Sequence, residues 1–192
     1  CLNPLEENSR EELEDLVVNK GFREVKIHQA HYRFEVNDKR VYPFYEKCIE
    51  LDIPVAFHTG FSPVQLIDRY IPAMPHNIDE LAYDFPNLKI NMCHGGGNWY
   101  QDGIMIALRN ANIMIDIAGI TDLCEKMVYP RVDAKDLIRR FVEILGADRI
   151  LFGTDNMDDE INYKFMQEIG LADADLEKIM GLNVKRYLRL WE

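Results

Sequence analysis

Short apolar runs alternate with longer amphipathic stretches along this chain. The runs occupy residues 24–28, 53–58, 88–94, 113–118 and 149–154. Each run has five to seven residues and shows little polar alternation. Such runs are typical of strands that are buried on both faces, as in a parallel sheet.

Helix signals fall between these runs. The amphipathic stretches predict helices at residues 10–20, 41–51, 78–84, 101–111, 133–146, 159–169 and 173–190. Ser9 followed by Glu12 has the pattern of a capping box, which predicts the start of the first helix. Asn77 and Asp133 are the expected N-caps of the third and fifth helices.

The alternation of strands and helices predicts a parallel sheet, either a closed barrel or an open doubly wound sheet. We expect the strands to pair in sequence order, with the helices outside. A complete (β/α)8 barrel needs about 250 residues. The 192 residues here contain five clear units, and residues 1–4 look like the end of one more strand. The length predicts a single domain over residues 1–192.

Composition argues against several partners. The chain has 22 Lys and Arg and 33 Asp and Glu residues, a formal net charge of −11. This charge repels nucleic acids and anionic membrane surfaces. No apolar run approaches the roughly 20 residues needed to cross a bilayer. The four cysteines lie far apart without C-x-x-C spacing, which indicates reduced thiols in a cytoplasmic protein.

Residues with acid–base or metal-binding chemistry lie where the predicted strands end. His58 and His94 close the second and third runs, and Asp155 directly follows the fifth. Lys26 and His28 lie in the first run. Because the carboxyl ends of parallel strands meet at one edge, we expect the two histidines and the aspartate to converge in one cavity. Imidazole and carboxylate groups are ligands of Zn²⁺ and similar divalent ions.

The glycines of His94-Gly95-Gly96-Gly97 allow three interpretations. An oxyanion loop of the esterase kind needs a G-x-S-x-G nucleophile elbow, which the sequence lacks. A phosphate cradle needs glycines that lead into G-x-x-G or G-K-S/T spacing, and these do not. The third interpretation, which we favour, is a tight turn that leaves room for substrate after a ligand-bearing strand.

Three segments carry a resemblance to a known family. They are PFYEKCIELDIPVAFHTG at 43–60, FPNLKINMCHGGGNW at 85–99 and DRILFGTDN at 148–156. In this order they resemble the signature segments of the amidohydrolase-related family, which comprises metal-dependent hydrolases and decarboxylases with a TIM-barrel fold. The opening LNP and segments 21–28 and 176–188 also fit. The resemblance implies an α/β chain that represents about strands 4–8 of a (β/α)8 barrel.

The resemblance also implies roles for individual residues. His58 resembles the metal ligand of the fifth barrel strand, and Asp155 resembles the eighth-strand aspartate, a ligand and general base. His94 resembles the sixth-strand histidine, which is a second ligand or a catalytic group. Lys26 occupies the position where some amidohydrolases carry a bridging carboxylated lysine; here we expect Lys26 and His28 to bind substrate. The implied cofactor is a divalent metal ion, Zn²⁺ first and Mn²⁺ second.

One feature departs from the family pattern. The first strand of the family carries an H-x-H or E-x-H ligand pair, and the five histidines of this chain form no such pair before Lys26. Barrel strands one to three, with two metal ligands, are therefore expected to lie outside this sequence. A homo-oligomer or a missing N-terminal segment is expected to complete the barrel and to cover its open strand edges. A natural truncation is the remaining alternative.

Three functions are open at this point. The first is hydrolysis of a carboxylic ester, lactone or amide by metal-activated water, with Asp155 as base and His94 stabilising the oxyanion. The second is non-oxidative decarboxylation of an aromatic or unsaturated acid by the same residues. The third is a non-catalytic barrel subunit. The expected substrate is a small carboxylate or carbonyl compound, and Trp99 either walls its pocket or fills the core; His31 and His76 are weaker candidates.

Overall fold

The computed structural model describes residues 1–62 and 68–190 and has an α/β architecture. Within that part of the chain, one sheet contains β1 (Val25–Ile27), β2 (Val55–Phe57), β3 (Ile90–Met92), β4 (Ile113–Asp116) and β5 (Ile150–Leu151). Every neighbouring pair is parallel, and the order follows the sequence. The predicted sheet is confirmed. Each strand is shorter than the run that predicts it, because the paired ladder covers only the central residues.

Helices lie before, between and after the strands along the chain. They are α1 (Ser9–Val18), α2 (Gln29–Tyr32), α3 (Tyr42–Glu50), α4 (His76–Asp84), α5 (Tyr100–Arg109), α6 (Ile120–Lys126), α7 (Ala134–Leu145), α8 (Asp159–Gln167), α9 (Asp173–Glu177) and α10 (Asn183–Tyr187). A π-helical turn, Lys178–Leu182, joins the last two. No helix of the described residues is long and apolar enough to cross a membrane. The short helices α2 and α6 have no counterpart in the sequence analysis.

The capping box predicted for the first helix is wrong. Helix α1 begins at Ser9 itself, and Asn8 is its N-cap. The Glu12 N–H donates to the Asn8 carbonyl at 2.9 Å, as an ordinary helical bond. The Ser9 hydroxyl donates to the Pro4 carbonyl at 3.2 Å. Ser9 is buried and tied to the preceding turn, so a tertiary contact replaces the local cap.

The other two predicted caps have opposite outcomes. Helix α4 starts at His76, so Asn77 lies inside the helix and is not its cap. The Asn77 amide instead donates to the Glu35 carboxylate at 2.5 Å. The Asp133 cap is confirmed, since its carboxylate accepts from the Asp136 N–H at 2.9 Å.

The two faces of the sheet differ in polarity. On the outer face, one row of side chains in register is fully buried in the hydrophobic core: Ile27, Phe57, Met92 and Ile115. Alternate positions point to the inside of the partial barrel, and one such row is Lys26, Ala56, Asn91 and Met114. The same strands therefore supply the core on one face and polar groups on the other.

Terminal segments contact both edges of the sheet. The Leu2 N–H donates to the Lys26 carbonyl at 3.1 Å, beside β1. At the other edge, the buried Asn183 amide donates to the Ile150 carbonyl at 2.8 Å. Completion of the barrel by chain outside this sequence stays a prediction.

Candidate active site

A cavity of about 410 Å³ lies at the carboxyl ends of the strands. Its polar lining includes Lys26, His28, His58, His94 and Asp155. Its apolar wall includes Phe61, Leu123, Met127 and Met157. A larger cavity of about 540 Å³, lined by residues of α6, α7 and α8, contains none of the candidate site residues. The structure thus brings five of the predicted site residues together in one place.

Hydrogen bonds determine the tautomer of His94. Its Nδ1 lies 2.9 Å from the carbonyl oxygen of Ala118. A carbonyl oxygen only accepts, so Nδ1 carries the proton. Nε2 is then a lone-pair site, and it lies 3.2 Å from Nδ1 of His58. His94 therefore presents an unprotonated nitrogen toward His58 at the cavity wall.

The same hydrogen-bond chain sets the state of His58. Because His94 Nε2 accepts, His58 Nδ1 donates, and His58 Nε2 keeps its lone pair. That nitrogen is buried and has no hydrogen-bond partner among the described residues. Burial lowers the pKa of His58 to about 2, and the neighbouring His94, His28 and Lys26 oppose a second positive charge there. A neutral imidazole with an unpaired buried nitrogen is the form that binds a metal ion.

The glycines after β3 form the tight turn that the sequence analysis favours. Residues 94–97 all have positive φ, between 58° and 95°. A Cβ built on Gly97 would lie 2.2 Å from the Cα of Gly60. The backbone turns that follow β2 and β3 therefore touch, and only glycine permits this approach. This contact places the His58 and His94 ends of the two strands side by side.

Asp116, at the end of β4, holds the turn that carries His94. Its Oδ1 accepts from the His94 N–H at 2.9 Å and from the Ala118 N–H at 3.2 Å. Asp116 is 9% exposed. Since the Ala118 carbonyl in turn anchors the His94 ring, one carboxylate orients both the backbone and the ring partner of this histidine.

Asp155 follows β5 and faces His94 across Gly119. The Asp155 Oδ2 and the His94 Nδ1 each lie 3.6 Å from the point where a Cβ would stand at Gly119. Both residues have left-handed backbones, with φ of 55° at Asp155 and 62° at His94. Such conformations cost non-glycine residues about 1–3 kcal/mol, and they cluster at functional sites.

Lys26 brings a positive charge to the same cavity. Burial acts to lower the pKa of its ammonium group, but Cys93 and the carboxylates of Asp116 and Asp155 hold that pKa above its ordinary value. The Nζ of Lys26 lies 2.7 Å from the Sγ of Cys93. Burial, reinforced by Asp116, raises the pKa of the Cys93 thiol well above its usual range. Near neutral pH the pair is therefore a cation beside a neutral thiol.

His28 stacks on His58, with ring centroids 4.1 Å apart. The His28 Nδ1 accepts from the His31 N–H at 3.3 Å, so its proton is on Nε2. That Nε2 lies 3.8 Å from the carboxylate of Asp68. Burial lowers the pKa of His28, and Asp68 opposes this effect only in part. His28 is therefore a neutral ring that supports His58.

The remaining candidates lie away from the cavity wall. Trp99 packs against Tyr70, with ring centroids 4.7 Å apart, and does not line the cavity. His76 is half exposed at the start of α4. His31 is bound through its Nδ1 to the Asp68 carboxylate at 3.0 Å. Contact of Trp99 with a substrate stays a prediction.

The donor atoms in the cavity fit part of a divalent-metal site. His58 offers its unpaired Nε2, and Asp155 offers a carboxylate on the same cavity wall. Both groups are ligands of Zn²⁺ and Mn²⁺. Within residues 1–62 and 68–190, no three His, Cys, Asp or Glu side chains stand close enough together to hold an ion by themselves. An ion bound here would need further donors, such as water.

Three supporting residues have a weak signal or none in the sequence. Asp116 interrupts the apolar run IMIDIA, and this interruption was the available clue. Gln29 directly follows His28 and is fully buried; its amide donates to the carbonyls of His58 and Pro72. Asp68 lies on a connecting loop far from His28 in sequence, so only the folded chain reveals their contact.

Solved structures similar to this chain include TIM-barrel proteins. An uncharacterized TIM-barrel protein from Bordetella bronchiseptica is 25% identical, with a TM-score of 0.77 over 94% of this chain and 62% of that one. A dihydroxybenzoic acid decarboxylase from Polaromonas sp. JS666, solved with manganese and the inhibitor 2-nitroresorcinol, is 19% identical, with a TM-score of 0.70 over 99% and 67%. A 4-oxalomesaconate hydratase from Rhodopseudomonas palustris is 21% identical, with a TM-score of 0.64 over 95% and 60%.

These similarities establish the fold. The five-stranded parallel sheet corresponds to part of a TIM barrel, and the chain spans 60–67% of the length of these three proteins. No curated protein sequence matches the chain significantly.

The family assignment rests on the sequence itself. The family model described as Amidohydrolase matches residues 2–190. This match includes all five strands and every candidate residue in the cavity. The chain therefore belongs to the amidohydrolase family.

Proposed function

We propose that the cavity binds a small carboxylate and catalyses its metal-dependent, non-oxidative decarboxylation. The observation that carries this proposal is the placement of Lys26, His94 and Asp155 in one cavity, with an unprotonated His94 Nε2. The cavity volume of about 410 Å³ falls within the range of about 300–1,000 Å³ that is typical of small-molecule sites.

The lining of the cavity suits an acid with an apolar body. The Lys26 ammonium can form a charge-assisted hydrogen bond with a substrate carboxylate. The apolar wall, which includes Phe61 and Met127, can contact an aromatic or unsaturated group and exclude water. This division between one charged end and an apolar wall favours an aromatic or unsaturated carboxylic acid as substrate.

His94 is the group that handles protons in this proposal. Its Nε2 can accept a proton when the bond from His58 Nδ1 is given up, and the resulting imidazolium stays held by the Nδ1–H bond to Ala118. The same nitrogen can return the proton to the substrate carbon that loses carbon dioxide. A divalent ion held by His58 and Asp155 would supply Lewis-acid stabilisation of negative charge on a substrate oxygen. Asp116 keeps His94 oriented for both proton transfers.

Hydrolysis of an ester, lactone or amide is the second candidate, and Asp155 is the observation in its favour. A carboxylate in the cavity can accept a proton from an attacking water. In this reaction His94 would have to stabilise the oxyanion, and its observed hydrogen bonds do not suit that role. An oxyanion needs a proton donor, whereas His94 Nε2 carries no proton in the tautomer that Ala118 imposes. Since His94 must gain a proton at Nε2 before it can donate one in either reaction, the Lys26 charge and the apolar wall of the cavity favour decarboxylation.

Both reactions can be measured with one protein preparation. The purified chain, supplied with Mn²⁺ or Zn²⁺, is incubated with hydroxybenzoic and unsaturated carboxylic acids and with matched esters and lactones. Metal-dependent release of carbon dioxide that is lost in Asp155→Asn and kept in the surface control Asp102→Asn supports the proposal. Ester cleavage without carbon dioxide release would establish the second candidate. Metal binding without turnover of either set would favour a non-catalytic barrel.

A further inference from the structure

We propose that Lys26 and Cys93 form a covalent modification site, in which one oxygen atom supplied by hydrogen peroxide links the lysine nitrogen to the cysteine sulfur. Neither residue needs to move far for this link. The two lie 67 positions apart in sequence but meet on the inner face of the sheet.

The distance between the two reacting atoms is the main observation. Lys26 Nζ and Cys93 Sγ are 2.7 Å apart. Even N–H···O hydrogen bonds are usually about 2.9–3.0 Å long, and sulfur is larger than oxygen. The two atoms are therefore closer than an ordinary N–H···S contact but too far apart for a direct bond. A single bridging oxygen atom spans such a gap.

The surroundings give a small oxidant access to this pair. Lys26 lines the cavity at the carboxyl ends of the strands, while Cys93 lies behind it and is 3% exposed. Hydrogen peroxide is small and uncharged, so the cavity admits it. Burial keeps the thiol protonated, and reaction is therefore slow. The Lys26 nitrogen lies 2.7 Å from the sulfur, so it can react with an oxidised form of the sulfur without a large movement.

The chemistry balances with two molecules of hydrogen peroxide. Lys–NH2, HS–Cys and 2 H2O2 give Lys–NH–O–S–Cys and 3 H2O, after the lysine ammonium has released its proton to solvent. Each peroxide breaks its O–O bond and accepts two electrons, two coming from sulfur and two from nitrogen. One peroxide oxygen forms the N–O and S–O bonds. The other oxygens leave as water with the hydrogens of the thiol and the amine.

The link would change the charge of the cavity. A nitrogen bonded to oxygen is a weak base, so Lys26 would lose the positive charge that the proposed function assigns to carboxylate binding. This consequence rests on the proposed function, whereas the existence of the link does not.

Peptide mapping tests the link directly. The purified chain is treated with hydrogen peroxide and digested with trypsin without reductant. Trypsin does not cleave after a modified lysine, so we expect peptides 24–33 and 90–109 to appear as one joined species. Its mass should exceed the sum of the two peptides by one oxygen less two hydrogens. Dithiothreitol should return the separate, unmodified peptides.

Variants of the two residues, with the other cysteines as internal controls, test whether the link is specific. Lys26→Met and Cys93→Ser should each abolish the joined species, with Cys93→Ala as a second variant if the serine protein does not fold. Cys48 and Cys124, which are also buried, should stay unlinked. Oxidation of Cys93 to a sulfinic acid without a link would overturn the proposal, as would an unmodified Cys93 when the exposed Cys1 is fully oxidised. A link that leaves substrate affinity unchanged would support the site and contradict the role of Lys26 in the proposed function.

Discussion

The outer and inner faces of the sheet are built by alternate residues of the same strands, yet they follow opposite rules. The outer face buries apolar side chains completely: Ile27, Phe57, Ile90, Ile115 and Ile150. The inner face carries polar or ionisable groups: Glu24, Lys26, Asn91, Cys93 and Asp116. Because side chains alternate along a strand, a residue that stabilises the core is followed directly by one that faces the inside of the barrel.

The inner face is destabilised by the groups it holds. Asn91 Oδ1, on the inner face, is buried without a hydrogen-bond partner among the described residues. The same is true of the Tyr187 hydroxyl of α10, which lies near Glu24, Cys93 and Asp116. An unpaired buried polar atom costs about 1–3 kcal/mol. The apolar outer face therefore stabilises a fold whose inner face carries the groups available for chemistry. Substitutions on the two faces should consequently affect different measurements.

Asp155→Asn should have the largest effect on activity and little effect on stability. It removes the proposed metal ligand and, in the hydrolysis alternative, also the general base, whose loss alone slows reactions by about 10²–10⁴-fold. Turnover with added metal and thermal unfolding are measured on the same preparation. Near-normal turnover would contradict the role of Asp155 in catalysis. A large loss of stability would show that this residue also stabilises the fold, contrary to the proposed difference between the two faces.

Phe57→Ala should have the largest effect on stability. Phe57 is fully buried on the outer face, and such truncations cost about 3–5 kcal/mol in the free energy of unfolding. Phe61→Ala is the matched control, because Phe61 is 42% exposed on the cavity wall. Urea unfolding of both variants gives the comparison. Equal losses for the two would show that the cavity wall contributes to stability as much as the core does.

The free energy of unfolding should fall as the pH rises, because Glu24 is buried and must then lose its proton. Burial raises the pKa of Glu24 from 4.5 to about 7, with Asp116 adding to the effect. The protonated group stabilises the fold fully below its unfolded pKa of 4.5, and this contribution is lost as the pH rises to about 7. The loss is at most about 3 kcal/mol. In Glu24→Gln, unfolding free energies measured across this window should lose that dependence, whereas exposed Glu6→Gln should keep it.

Gln29→Leu should have the smallest effect on stability and activity. It should act on the site indirectly, because Gln29 holds the backbone of His58. The change leaves the carbonyls of His58 and Pro72 without their buried donor, at a cost of about 1–3 kcal/mol. We expect lower stability together with weaker metal binding, measured by urea unfolding and metal titration. Asn98→Ala, which removes an exposed hydrogen bond to Tyr70, is the control. Unchanged metal binding in Gln29→Leu would show that Gln29 is not needed to position His58.

The sheet could be predicted because its signal is local. The apolar runs identify all five strands, and parallel pairing in order follows from the helices between them. The details that failed depend on tertiary contacts. Ser9 is drawn to the Pro4 carbonyl, and Asn77 to Glu35, so neither serves as the cap that its sequence position suggests.

The site was predictable where its residues end strands. His58, His94 and Asp155 meet in one cavity because parallel strands share an end. Their supports were not predictable in the same way. The tautomer of His94 depends on the Ala118 carbonyl, which is a backbone group and leaves no mark on the sequence. Asp68 comes close to His28 only in the folded chain, from 40 positions further along the sequence.

The contact between Gly60 and Gly97 limits how this cavity can diversify. A Cβ on either glycine would approach the Cα of the other to 2.7 Å or less, so the turns after β2 and β3 can change only together. A mutation that reshapes one of them needs a compensating change in the other. We therefore expect new substrate preferences to evolve through the segments after β1, β4 and β5, while this central pair of turns is inherited as one unit.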